Sequence, residues 1–218
     1  MTQLDRPLAI ILLAGTVLLA AAAPFHPMLV SDAAANLRII ASTPYWRTLH
    51  LIMLATSGLV IVGIWVRALP TSGTGGGTPM LIVLAIIALG LTVNALDTGF
   101  MAGAGWRMAS LYRDGHPEMS ALFETTWPIG RIAARFGNFL VAIGALLLGW
   151  LEWHDASSPR WLAWLAWLAG VGGLVGALFF REESMAALGA VALLSGWQVA
   201  VAVRALRRRP VALPQRPR

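Results

Sequence analysis

The chain has 218 residues, 58% of them hydrophobic and only 12% charged, with a mean hydropathy of +0.72. Soluble domains carry roughly a quarter charged residues, so this composition belongs to the membrane class and leaves no room for a second, soluble domain. Every basic residue is Arg, and six of them crowd between Arg204 and Arg218, so the net charge of +6 marks a membrane-flanking terminus and excludes a nucleic-acid surface, while the lack of Cys excludes disulfides, thiolate metal sites, iron–sulfur clusters and c-type haem.

A bilayer-spanning helix needs about 20 mostly apolar residues, because the hydrocarbon core is about 30 Å thick. Six stretches qualify, over about residues 7–30, 48–69, 80–106, 132–152, 161–180 and 185–206. The expected fold is an all-α polytopic membrane bundle of six transmembrane helices. Residues 1–209 form a single domain, followed by a disordered basic cytoplasmic tail over residues 210–218.

The first span holds a small-residue run, Ala20 to Ala23, like that before a signal-peptide cleavage site. The apolar run continues through Phe25, Met28, Leu29 and Val30, which favours a retained helix. A connection with Tyr45 and Trp46 as interfacial aromatics leads into the second span. The tract Thr71 to Thr78 is glycine-rich but lacks the Gly-Lys-Ser/Thr ending of a phosphate loop, so it reads as an interhelical linker.

The third span is apolar from Met80 through Leu96, meets Asn94 and Asp97, and continues through Gly99, Gly103 and Gly105 to Trp106. The longest connection follows, residues 107–130. Pro117 fits the first position of a helix, and Met119, Leu122, Phe123 and Thr126 fall at i, i+3, i+4 and i+7. This predicts a short interfacial helix in the third-to-fourth connection. The fifth span repeats Trp-Leu-Ala from Trp161 and then offers Gly170, Gly172, Gly173 and Gly176 as a close-packing face. The two halves show no similarity of the inverted-repeat kind.

Arginine bias sets the orientation. Six spans put both termini on one side, and the tail from Arg204 makes that side cytoplasmic. The expected location is the bacterial cytoplasmic (inner) membrane, multi-pass. Trp46, Trp106 and Trp127 would then form the outer aromatic belt, and Trp65, Trp150, Trp153, Trp161 and Trp164 the inner one.

On this topology the polar residues collect at the outer edge. His26 ends the first span and His50 lies in the first turn of the second; Asp97 and Asn94 end the third, and Arg131, Arg135 and Asn138 lead into the fourth. The long connection adds His116, Glu118 and Glu124. Charges in a bilayer face the bundle interior, paired or at a site. Asp97 with Arg135 is the natural structural pair. The ligand- or cofactor-binding candidates are His26, His50, Asp97, Glu124, Arg135 and Asn138.

Imidazoles from adjacent helices at matched depth can ligate a divalent metal, with His26, His50 and Asp97 as the metal candidates. The same histidines could instead hold a b-type haem. No Gly-x-Ser-x-Gly or His-Glu-x-x-His occurs, so no catalytic residue is named. His154, beside Asp155 at the other edge, reads as a solvated loop residue.

The chain resembles a group of uncharacterised bacterial six-helix integral membrane proteins that constitute a domain of unknown function. The resemblance rests on His26-Pro27 closing the first helix, Trp46 and His50 opening the second, Asp97 ending the third, the amphipathic Leu122 to Trp127 stretch, and Pro159-Arg160-Trp161-Leu162 opening the fifth. It implies the six-helix fold and no established activity. The leading expectation is a non-enzymatic binding module or accessory subunit, surrounded by the lipid bilayer and associated with a membrane-complex partner or a second copy. The alternatives are a membrane-embedded metal-dependent enzyme using the same cluster, and a small transporter with Asn94, Asn138, Ser195 and Gln198 along its path.

Overall fold

The computed structural model describes residues 5–68, 77–179 and 185–207; most of the glycine tract and the whole tail over residues 210–218 lie outside them. The described residues form eight α-helices: α1 (Asp5–Ala22), α2 (Ala33–Ser42), α3 (Trp46–Gly63), α4 (Gly77–Phe100), α5 (Trp106–Arg113), α6 (Glu118–His154), α7 (Arg160–Phe179) and α8 (Met185–Arg207). Among the described residues, five helical stretches are long and apolar enough to cross a membrane: Asp5–Phe25, Trp46–Arg67, Gly77–Arg113, Glu118–His154 and Arg160–Phe179. The helix α8 packs against α1 and α7 and closes the bundle.

Glycines let the helices approach closely, as expected where lipid supplies no hydrophobic drive between them. Along α6, Gly130, Gly137 and Gly144 recur every seventh residue and face α4. A methyl group on Gly137 would lie 2.5 Å from the Asn94 backbone nitrogen, and one on Gly144 2.4 Å from Ile87. Seven-residue spacing keeps one stripe in contact along an antiparallel pair. On the other side of α6, Gly149 meets Trp167, and of the glycines expected as a packing face in the fifth span Gly170 meets Leu146 and Gly173 meets Ala142. Gly15 and Gly63 join α1 and α3 in the same way.

The structure corrects the expected third-to-fourth connection. Residues 118–154 form one continuous helix of 37 residues, so the short interfacial helix is the opening of α6 rather than a separate element. Pro128 sits inside it. Proline removes one N–H and crowds the carbonyl four residues earlier, that of exposed Glu124, which water can reach. The buried stripe Phe123, Trp127, Gly130, Ala134 and Gly137 runs through the proline without a break in spacing, and that packing keeps the helix going.

The preceding stretch, Gly77–Arg113, is also helical for 37 residues, with a π-helical turn over Met101–Gly105 joining α4 to α5. At 1.5 Å per residue each stretch is about 55 Å long, well beyond a 30 Å hydrocarbon core. The segment from Arg107 to Glu124, where the two stretches join, carries Arg107, Arg113, Asp114, His116, Glu118 and Glu124. Here α5 and the start of α6 meet α2, whose start is capped by the Asp32 side chain accepting from Ala35 N–H at 2.6 Å.

The described residues therefore form two main apolar cores. One lies within the bundle and includes Leu12, Ile64, Leu84, Ile87, Leu148, Leu162 and Trp197. The other caps one end and is built from Leu37, Ile40, Trp46, Met101, Met108, Ala109, Phe123 and Trp127. Trp46 and Trp127 are consequently interior residues of the cap, not members of an outer belt. Trp150, Trp153, Trp161 and Trp164 are exposed, as an aromatic belt requires.

Candidate functional site: a histidine pair beneath the cap

His26 and His50 meet at the seam between the two cores. Pro24 opens a 3-10 turn, Ala23–Phe25, that ends α1, and the His26 backbone N–H closes it on the Ala23 carbonyl at 3.1 Å. His26 itself is extended, with φ −79° and ψ 116°, as a residue before proline prefers. His50 lies one turn into α3, and its Nδ1 is 2.9 Å from the Trp46 carbonyl oxygen. That oxygen can only accept, so His50 Nδ1 carries the proton and Nε2 presents its lone pair. The His26 Nε2 sits 3.1 Å from the His50 Nε2 and donates to it.

Trp46 supports both rings. Its indole lies 4.3 Å from the His50 ring and 5.3 Å from the His26 ring, centroid to centroid, and the two imidazoles are 4.9 Å apart. The indole is itself fixed, since Nε1 donates to the Met101 carbonyl at 3.1 Å. That carbonyl belongs to the π-turn and also accepts the Trp106 N–H five residues on. His50 and Trp46 are buried, whereas His26 is half-buried and reaches the surface.

The other sequence candidates lie elsewhere. Asp97 faces α6 at Gly130, where a methyl group would lie 2.5 Å from its Oδ1. One turn deeper, Asn94 donates to Asn138 Oδ1 at 3.0 Å and to the Ala134 carbonyl at 3.3 Å. Asp97, Asn94 and Asn138 thus form a polar line along the α4–α6 contact. Glu124 and Arg135 are exposed on α6. The structure thus brings His26 and His50 together, sets Asp97, Asn94 and Asn138 along the α4–α6 contact, and carries Glu124 and Arg135 at exposed positions of α6. Among the described residues no three His, Cys, Asp or Glu side chains converge at metal-ligating spacing, so Asp97 does not join the histidines.

A b-type haem does not fit between these two rings. Two metal–nitrogen bonds of about 2.0–2.1 Å in line would hold the nitrogens about 4 Å apart. Here they are 3.1 Å apart and the rings touch, leaving no room for a macrocycle.

A second polar centre, at the opposite edge, was not anticipated from the sequence. Arg67 ends the 3-10 turn Ile64–Arg67 that follows α3, and its Nε and Nη2 donate to Glu152 at 2.7 Å and 3.2 Å. Nη2 also meets Asp155 at 2.6 Å. The Ser158 hydroxyl donates to Glu152, and Arg204 of α8 donates to the Ser157 carbonyl. The Glu152 side chain is fully buried and that of Arg67 only 10% exposed. Among the described residues Glu152 and Arg67 are thus a buried, directly bonded acid and base. Burial opposes ionisation of Asp155, but hydrogen bonds from Ser157 and Arg67 outweigh it and hold the carboxyl below the usual carboxylate range. The sequence signal was available: an Arg and a Glu at the ends of two apolar spans on the same side. His154 is exposed beside this centre, at the end of α6.

Of the polar residues considered for a transport path, Asn94 is bonded to Asn138 and Gln198 to Thr16, each at 3.0 Å. No family model, no curated protein and no solved structure matches the chain.

Proposed function

We propose that the chain is a six-span integral membrane protein, with α8 as the sixth span, that works as a binding module or accessory subunit through the His26–His50 pair. The observation that carries this reading is the pair itself. Two imidazoles from separate chain segments have their Nε2 atoms turned toward each other, backed by a buried Trp46 and open to the surface at His26. Polar groups of this kind at the seam of two apolar cores mark a binding site more than a packing solution. The arginine tail supports a cytoplasmic location for both termini in a bacterial inner membrane, which puts the pair at the outer edge.

Because the chain has no cysteine, its topology is testable by single cysteines without removing native ones. An impermeant maleimide should label Ser31→Cys and Asp114→Cys in intact cells, and Ala156→Cys only after permeabilisation. Diethyl pyrocarbonate applied from outside should modify His26 as well as exposed His116. Labelling of Ala156→Cys from outside, or an inert His26, would overturn the reading.

A further inference from the structure

We infer that the ligand of this pair is a transition-metal ion of the zinc–copper class, held by His26 Nε2 and His50 Nε2; the inference rests on the proposed role of this edge as the working end. Two metal–nitrogen bonds of about 2.0–2.1 Å meeting at roughly 100–110° place the nitrogens about 3.1–3.4 Å apart. The observed 3.1 Å lies in that range, so an ion can replace the proton between the rings with little movement.

The surroundings match such a site. A metal-binding histidine usually donates its other N–H to a carbonyl or carboxylate, which fixes the ring and raises its basicity. His50 does this through Nδ1 and the Trp46 carbonyl at 2.9 Å. That carbonyl belongs to the α3 backbone, and the Trp46 indole beside both rings is anchored in turn to the π-turn carbonyl of Met101. Imidazoles without a carboxylate select zinc and copper over magnesium and calcium, which take oxygen ligands. With two protein ligands, the remaining positions go to water or to a donor arriving from outside, the arrangement of an exchangeable site rather than a closed structural one.

The protons balance. Both histidines bind as neutral imidazoles; the proton on His26 Nε2 moves through solvent to its Nδ1, and two metal–nitrogen bonds replace two metal–water bonds. Protons compete with the ion for both nitrogens, so affinity falls on acidification.

The test uses the full chain in detergent micelles, stripped of metal with a chelator. Zn(II) and Cu(I) are titrated separately in competition with a chromophoric chelator. One ion should bind per chain. H26Q and H50Q should each weaken it at least tenfold, whereas H116Q and H154Q should leave it unchanged. On the wild-type chain, the ¹⁵N resonances of the His26 and His50 rings should shift with the ion, a readout independent of variant folding. Binding undiminished in H26Q and H50Q, unmoved imidazole resonances, or no ion bound would each overturn the metal assignment. Those results are separable from failure of the edge reading, which the labelling pattern and His26 reactivity decide on their own.

Discussion

Replacing Arg67 with Met is the perturbation for which the structure gives the largest effect. Glu152 is fully buried and takes both of its charge-assisted bonds from Arg67. Without the guanidinium, a carboxylate with no water contact keeps only the Ser158 hydroxyl. Breaking a buried pair from one side costs about 3–5 kcal/mol, because the remaining charge is neither hydrated nor compensated. At 1.4 kcal/mol per decade this is roughly two to four orders of magnitude in the unfolding equilibrium. Removing both charges, as in Arg67→Met with Glu152→Leu, deletes the desolvation cost along with the attraction, so the double variant should recover most of the loss. Asp155 keeps 27% of its side chain exposed and retains its Ser157 bonds, so it tolerates the absence of Arg67 far better than Glu152 does. The assay is reversible unfolding in mixed micelles, followed by circular dichroism for both single variants and the double. A loss under about 1 kcal/mol in Arg67→Met, or a double variant no better than the worse single one, would refute the reasoning.

Gly137→Ala should destabilise by about 2–4 kcal/mol, since its methyl group meets Asn94 backbone at 2.5 Å and separating the helices also breaks the Asn94–Asn138 bond. Gly58→Ala, with nothing within 4 Å, should gain up to about 1 kcal/mol from helix propensity, and equal effects in the same unfolding assay would contradict the packing argument. The Asp155 carboxyl is held below its ordinary value of 3.8, so its contribution is complete above that pH and is lost as the pH falls through the lower native value. Stability measured between pH 6 and pH 3 should drop less steeply at the acid end in Asp155→Asn than in the unaltered chain. Trp46→Phe removes the bond to Met101 and part of a buried ring, and should cost about 2–3 kcal/mol while weakening the order of both imidazoles, read as broadened His26 and His50 ring resonances.

The membrane character and the helical fold were legible because they depend on local composition. A run such as Met80 to Leu96 can hardly be anything but a bilayer-length helix, and the glycines from Gly170 read as a helix contact before any partner is known. The match in depth of His26 and His50 followed from the span ends alone, and the structure brings those two rings into contact. The local reading failed over residues 107–130, which read as a connection with a short interfacial helix, whereas the buried stripe from Phe123 to Gly137 runs on through one continuous helix.

Which polar residues share a site was a tertiary matter. Depth along the membrane normal can be counted from the sequence, but rotation of each helix about its axis is set by neighbours on all sides. Asp97 and His50 have similar depth, yet Asp97 turns to Gly130 on α6 and His50 turns to His26. Arg67, Glu152 and Asp155 converge for the same reason, since the 3-10 turn Ile64–Arg67 after α3 reaches the end of α6 only in the packed bundle. The sequence by itself determined the solvent, the helices and the edge at which each polar group lies. The tertiary packing decided which groups at an edge can touch, because contact depends on helix rotation and close approach, and one chain's local pattern specifies neither.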